Sequence, residues 1–305
     1  MLISIIIPTY NRNKILCKTL SNIVSFKHQY NELIVVDQSK THEPDTKLFL
    51  YDLVQNKKIK YINVDFPNLP NARNIGIKNS VGDIIIFFDD DIEINEKTIP
   101  SHITAFSDIK IGCVTGKVNI INTDTENNIV LQNKRNIHNL IKRLIFFFFK
   151  NKASYTSFFG IISNFSGNKA LSCDTCIGCN MSFKREVFTK CGYFDTNYTG
   201  NAYREDTDMS VRLKHSGYKL IYNPLASINH FIDNRGGTRT SSNKNYWYTI
   251  FKNQCYFYLK NFNYSYLHIL ILHIFDFIRC NKLKLNTYSI FKNGYRDALT
   301  LKNQI

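Results

Sequence analysis

The chain has 305 residues, 44% of them hydrophobic, which suits one large α/β domain with additions or two smaller domains. Lysine and arginine number 39 against 24 acids, for a formal charge of +15, and this balance favours anionic partners such as phosphorylated substrates or a membrane surface. No zinc-finger, RNP or basic-helix signature supports nucleic acid as the partner, and no apolar run reaches the roughly 18–20 residues that span a bilayer.

The first third alternates strand and helix signals. Leu2–Pro8 is an apolar run closed by proline, with no basic leader before it, which points to the cytosol. Asn13–Ser25 has apolar residues at helical spacing, and Glu32–Asp37 is a second strand ended by an acid. Pro44–Gln55 reads as a helix, Ile59–Val64 as a strand and Asn71–Ser80 as a short helix. Asp83–Phe88 is then a buried strand that runs into Asp89, Asp90 and Asp91. Three adjacent carboxylates repel one another unless a cation or donors compensate them. Short connections between alternating strands and helices imply a mostly parallel sheet flanked by helices. Its strand ends, where Pro8, Asp37 and Asp89 lie, form the edge at which such sheets bind ligands.

Residues 122–172 are polar, then aromatic, with weak periodicity, and read as an irregular excursion over that edge. Gly178–Cys191 is a strand-to-helix passage, Glu205–Ser216 a helix with acids in its first turn, and Lys219–Tyr222 a short strand. Asn229–Ser242 reads as a loop, and the remainder as a helical C-terminal extension rich in aromatics. The boundaries drawn from this are 1–240, divided into 1–121 and 122–240, and 241–305. Cys173, Cys176 and Cys179 recur at every third residue, but no second ligand pair completes a zinc site.

These segments occur in a familiar order. Ser4-Ile5-Ile6-Ile7-Pro8-Thr9-Tyr10-Asn11-Arg12, Glu32–Ser39, Asn71-Ala72-Arg73-Asn74-Ile75-Gly76, Asp89-Asp90-Asp91, Gly178–Arg185 and Arg204-Glu205-Asp206-Thr207-Asp208 together resemble the family 2 glycosyltransferases of GT-A fold, over roughly residues 2–240. The resemblance implies an inverting, metal-dependent transfer from a nucleotide-sugar, UDP-linked, to a saccharide or lipid-linked saccharide in surface polysaccharide synthesis. It implies Asp206 as general base and Asp91 as metal ligand, with Asp89 and Asp90 at the ribose or the metal's waters, and His230 as a further ligand. Mn2+ or Mg2+ is the expected ion, since both take oxygen donors. Pro8, Tyr10, Arg12, Asp37 and Arg73 are implied on the donor, and Gly178, Asn180 and Glu205 on the acceptor side. Glycines and arginines in His230–Arg239 suggest a flap over the diphosphate.

Aromatic and basic segments suggest peripheral contact with the cytoplasmic face of an anionic membrane. These are Phe146–Phe149 with Lys142, Arg143, Lys150 and Lys152, and Trp247, Tyr248 and Lys252 in the tail. Three other readings stand beside the enzyme: a catalytically inactive GT-A-like binding protein, a basic nucleic-acid-binding protein, and a dinucleotide-dependent oxidoreductase. The last lacks the GxGxxG fingerprint after the first strand, and no GxxxxGK[ST] loop marks an ATPase.

Overall fold

Apolar runs too short for helices build the centre of the sheet. The computed structural model describes residues 1–122, 152–157, 160–232, 244–274, 276–277 and 286–304. β1 (Ile3–Thr9), β2 (Glu32–Asp37), β3 (Lys60–Asn63) and β4 (Ile84–Phe88) lie in the order β3-β2-β1-β4, all parallel. β1 and β4 are buried at every position, because helices cover both sheet faces. The crossovers are α1 (Lys14–Ser25), α2 (Pro44–Gln55) and α3 (Leu69–Lys78). Asn68 caps α3, its side-chain oxygen accepting from the Asn71 amide at 2.9 Å. Gly76 lets α3 lie against β1, since a Cβ there would stand 2.4 Å from Ile6.

Beyond β4 the sheet becomes mixed. β5 (Ile92–Ile94) and α4 (Thr98–Thr104) lead to β6 (Ile111–Asn122). β7 (Lys152–Ser157), β8 (Gly160–Ser163) and β9 (Leu171–Cys173) follow, so part of the stretch expected to be irregular is strand. β10 (Asn180–Lys184) inserts between β4 and β6, antiparallel to both, and runs into α5 (Arg185–Cys191). α6 (Glu205–His215) precedes β11 (Lys219–Ile232), which pairs parallel to β6 and antiparallel to β5 and β9.

The expected short strand at Lys219–Tyr222 is thus a 14-residue strand, and residues 229–232 belong to it rather than to a loop. Pro224 explains the difference. It cannot donate to a ladder, and the pairing with β6 shifts register between Asn223 and Ile228 before resuming. The rest of the expected flap, 233–239, lies outside the described residues, as do Phe146–Phe149, Lys142, Arg143 and Lys150.

The C-terminal extension contains α7 (Lys244–Phe262), α8 (Tyr266–Leu272) and α9 (Thr287–Lys302). Phe251, Tyr256, Phe257, Ile269 and Phe291 build a separate apolar cluster there. Trp247 is 4% and Lys252 7% exposed, and Lys252 Nζ donates to Thr199 Oγ1 at 2.6 Å. Tyr248 donates its hydroxyl to Asp297. Trp247 and Lys252 are therefore buried in the fold rather than lipid-facing, and Tyr248 is half-buried. The three spaced cysteines do not converge either, because Cys173 and Cys176 join one core cluster and Cys179 the other.

Candidate active site

The end of β4 delivers its three carboxylates to one corner. Asp91 is 2% and Asp90 8% exposed. Arg12, from the turn after β1, is equally buried and lies between them, 3.3 Å from Asp91 Oδ2 and 3.7 Å from Asp90 Oδ1. Thr9 donates its hydroxyl to Asp90 at 2.5 Å. Burial first, then the charge of Asp91, pushes the Asp90 carboxyl up to about 7.

The β5–β11 pairing sets His230 opposite Ile92, and its Nε2 lies 2.9 Å from Asp91 Oδ1. One ligand atom each from Asp89, Asp91 and His230 falls within 4.8 Å of the others. Two carboxylates and an imidazole converging at that spacing suit one shared divalent ion. Mn2+ and Mg2+ both accept the carboxylate oxygens of such a set.

The β1 and β2 ends split into wall and interior. Pro8, Tyr10 and Arg12 line a cavity of about 560 Å³ beside the carboxylates, within the range of small-molecule sites. Asp37 is fully buried: Oδ1 accepts from the Ser39 amide at 2.8 Å, and Oδ2 accepts from Tyr61 at 2.7 Å and pairs with His42. Its neighbour Gln38 takes the place on the wall.

Arg73 sits beneath the cavity, 1% exposed. It pairs with Glu205, lies 3.8 Å from Asp89 Oδ1 and donates to the Gly178 carbonyl at 3.1 Å. Phe87 and Phe194 flank its guanidinium, with ring centroids at 5.9 and 5.5 Å. Gly178 must be bare here, because a Cβ would stand 2.9 Å from Arg73 Nη2. One buried cation thus joins the carboxylates after β4 to the acids that open α6.

Those acids differ in their partners. Glu205 is committed to Arg73. Asp208 is fully buried and paired with Arg212 and Lys260, each at 2.9 Å. Asp206 is half-buried and makes no ion pair among the described residues; its carboxylate accepts from the Gly178 amide at 2.9 Å and the Thr207 amide at 2.6 Å.

Asn180 lies inside rather than on the wall. It is fully buried, its Oδ1 is 2.8 Å from His102 Nε2, and its amide donates to the carbonyls of Lys117 and Ala226. It stitches β6, β10 and β11 together.

The far wall is one that sequence reasoning misses. Asn201 and Tyr203, just before α6, and Asn245, Tyr246, Trp247 and Ile250 of α7 line the same cavity. The aromatic spacing of the tail does carry a signal, but the same spacing suits a membrane surface.

Many solved structures share this fold. One is GalNAc-T7 with UDP, GalNAc and Mn2+, at a TM-score of 0.61 and 15% identity, covering 98% of this chain and 58% of that one. Another is the mannosyltransferase PcManGT of Pyrobaculum calidifontis with GDP-Man and Mn2+, at 0.57 and 17%, covering 99% and 75%. S. aureus TarS matches at 0.57 and 16%, covering 98% and 79%. Among curated proteins, the poly-beta-1,6-N-acetyl-D-glucosamine synthase of Staphylococcus aureus is 26% identical over 226 residues, 73% of this chain and 48% of the relative. Its Staphylococcus epidermidis counterpart matches to the same extent. The chain therefore spans about half the length of these relatives. The family model for glycosyl transferase family 2 matches residues 4–192, more than half of the chain. Motifs, fold and family model agree, and the chain belongs to glycosyl transferase family 2, with the GT-A fold of a glycosyltransferase.

Proposed function

We propose that this glycosyltransferase moves a sugar, with inversion, from a UDP-linked donor to a saccharide or lipid-linked saccharide in surface polysaccharide synthesis. The observation that carries the reading is the convergence of Asp89, Asp91 and His230 beside a cavity walled by the ends of parallel strands. The polysaccharide synthases among the relatives and the Mn2+ in two neighbours support it.

Asp89, Asp91 and His230 would hold the divalent ion, which when bound neutralises the departing diphosphate. The other roles fall to the chain's own groups. Tyr10 at the end of β1 packs on the base. Arg12 holds Asp90 and Asp91 in place and presents positive charge to the phosphates. Asp206 takes the proton from the acceptor hydroxyl as that oxygen attacks the anomeric carbon. It suits this role because Glu205 and Asp208 are neutralised by arginine and lysine. Residues 1–240 form the transferase unit on this reading, and 241–305 an extension whose first helix closes the cavity.

The acceptor's membrane is read from α8 instead of α7. Leu267 and Ile271 of α8 are 64% and 55% exposed at helical spacing, and Ile274, just past its end, is 48% exposed. The chain's +15 charge complements an anionic bilayer. No helix among the described residues is long and apolar enough to cross one. Flotation with phosphatidylglycerol vesicles should recover the protein, and Leu267→Ser/Ile271→Ser should abolish recovery. Equal flotation of that variant removes α8 from the contact.

The test of the activity is a donor screen with Mn2+, following release of nucleoside diphosphate with and without acceptor. Asp206→Asn should abolish transfer and keep donor binding. Loss of donor binding in that variant removes Asp206 as the base.

A further inference from the structure

The cavity has two chemically different walls. Strand ends and carboxylates make the first. The second is aromatic, with Tyr203 from the loop before α6 and Tyr246 and Trp247 from α7. Amide and carboxylate groups fringe these rings, from Asn201, Asn245 and Asp276.

The loop that carries Tyr203 is held in an unusual backbone. Gly200, Ala202 and Arg204 have φ of 67°, 52° and 78°, so three of five consecutive residues are left-handed. Each non-glycine among them costs about 1–3 kcal/mol, and such strain persists where the surroundings over-determine it. α7 supplies that constraint: a Cβ at Gly200 would stand 2.6 Å from Thr249. The Arg204 guanidinium lies 4.5 Å from the Tyr203 ring centroid and fixes the ring. Tyr246 meets Trp247 edge to face, with centroids 5.9 Å apart. The rings are therefore held in place, and Tyr203 is still 36% exposed.

A pyranose offers an apolar C–H face and a rim of hydroxyls. Fixed aromatic faces fringed by amides and a carboxylate match both, whereas a lipid chain would have no partner for that fringe. The geometry points to the wall of Tyr203 and Tyr246, backed by the buried Trp247, as the subsite that holds the terminal sugar of a saccharide acceptor. This inference rests on the glycosyltransferase reading and adds to it what the acceptor presents. It also accounts for the strained loop. Tyr203 stands three residues before Asp206, at the passage into α6.

Trp247 is the only tryptophan of the chain, so its emission reports this wall alone. The experiment titrates the full chain, with UDP and Mn2+ present, with tetrasaccharides of N-acetylglucosamine, glucose and galactose. At least one should change Trp247 emission saturably. Tyr203→Ala and Tyr246→Ala should weaken that saccharide about five- to tenfold, one stacked ring's worth, while the Phe variants stay near wild type. UDP affinity should be the same in all variants. The inference is overturned if no saccharide perturbs Trp247, if the Ala variants bind it as wild type does, or if they lose UDP in parallel. It is also overturned if a polyisoprenyl phosphate alone reproduces the emission change. These outcomes differ from failure of the parent reading, which would show as no diphosphate release from any donor.

Discussion

Arg73 is the residue on which the two acidic motifs depend. It is enclosed by phenylalanines and answers Glu205 with Asp89 near by, so its removal leaves a buried carboxylate unpaired. Arg73→Ala should cost about 3–5 kcal/mol of stability, read from chemical denaturation. Arg73→Lys should recover only part of it, because an ammonium cannot reproduce the guanidinium fork. A loss under about 1 kcal/mol in Arg73→Ala would show that the pair contributes little. The three aspartates after Phe88 are legible in the sequence because an apolar run ends on them. The interior roles of Asp37 and Asn180 are not. Their types suit ligand contact, and only the structure shows their oxygens already engaged by Ser39, Tyr61 and His42, or by His102. His230 is visible as a histidine, but its strand is hidden behind Pro224 and the register shift there.

Among the elements, α4 and β10 are joined by a histidine that must stay neutral. His102 is fully buried between Ser182 and Asn180, and burial lowers its pKa to about 4. The sign follows from linkage. The unfolded chain takes up the proton near pH 6.5 and the folded chain only near 4, so stability is lost as pH falls through that window. His273, in the C-terminal extension, is lowered to about 4 by burial as well and adds in the same direction. Urea unfolding should show about 2 kcal/mol less stability per histidine at pH 5 than at pH 7. A flat profile there would mean that His102 titrates normally. The parallel strands β1, β2 and β4 are readable from apolar runs ended by Pro8, Asp37 and Asp89. Strands β7 to β9 are not, because they are three to six residues long, mix polar and apolar residues without a two-residue period, and find their pairing only on β11 and one another.

Across the fold as a whole, the C-terminal extension meets the cavity through α7 rather than hanging free of it. α7 closes the cavity with one face and packs its other aromatics against α8 and α9. Phe251 is fully buried and packs tilted or edge to face against Trp247, His273, Phe277 and Phe291. Phe251→Ala should lower stability by about 3–5 kcal/mol in thermal or urea unfolding, and a change below about 1 kcal/mol would contradict a cooperative extension. Donor binding, on the proposed reading, requires that Asp89, Asp91 and His230, whose ligand atoms converge within 4.8 Å, share one divalent ion. Calorimetric titration of UDP with and without Mn2+, on wild type and Asp91→Ala, decides whether they do. Mn2+ should tighten UDP binding at least about tenfold in wild type and leave it unchanged in Asp91→Ala. The same Mn2+ dependence in both proteins would contradict the shared ion and the site built around it.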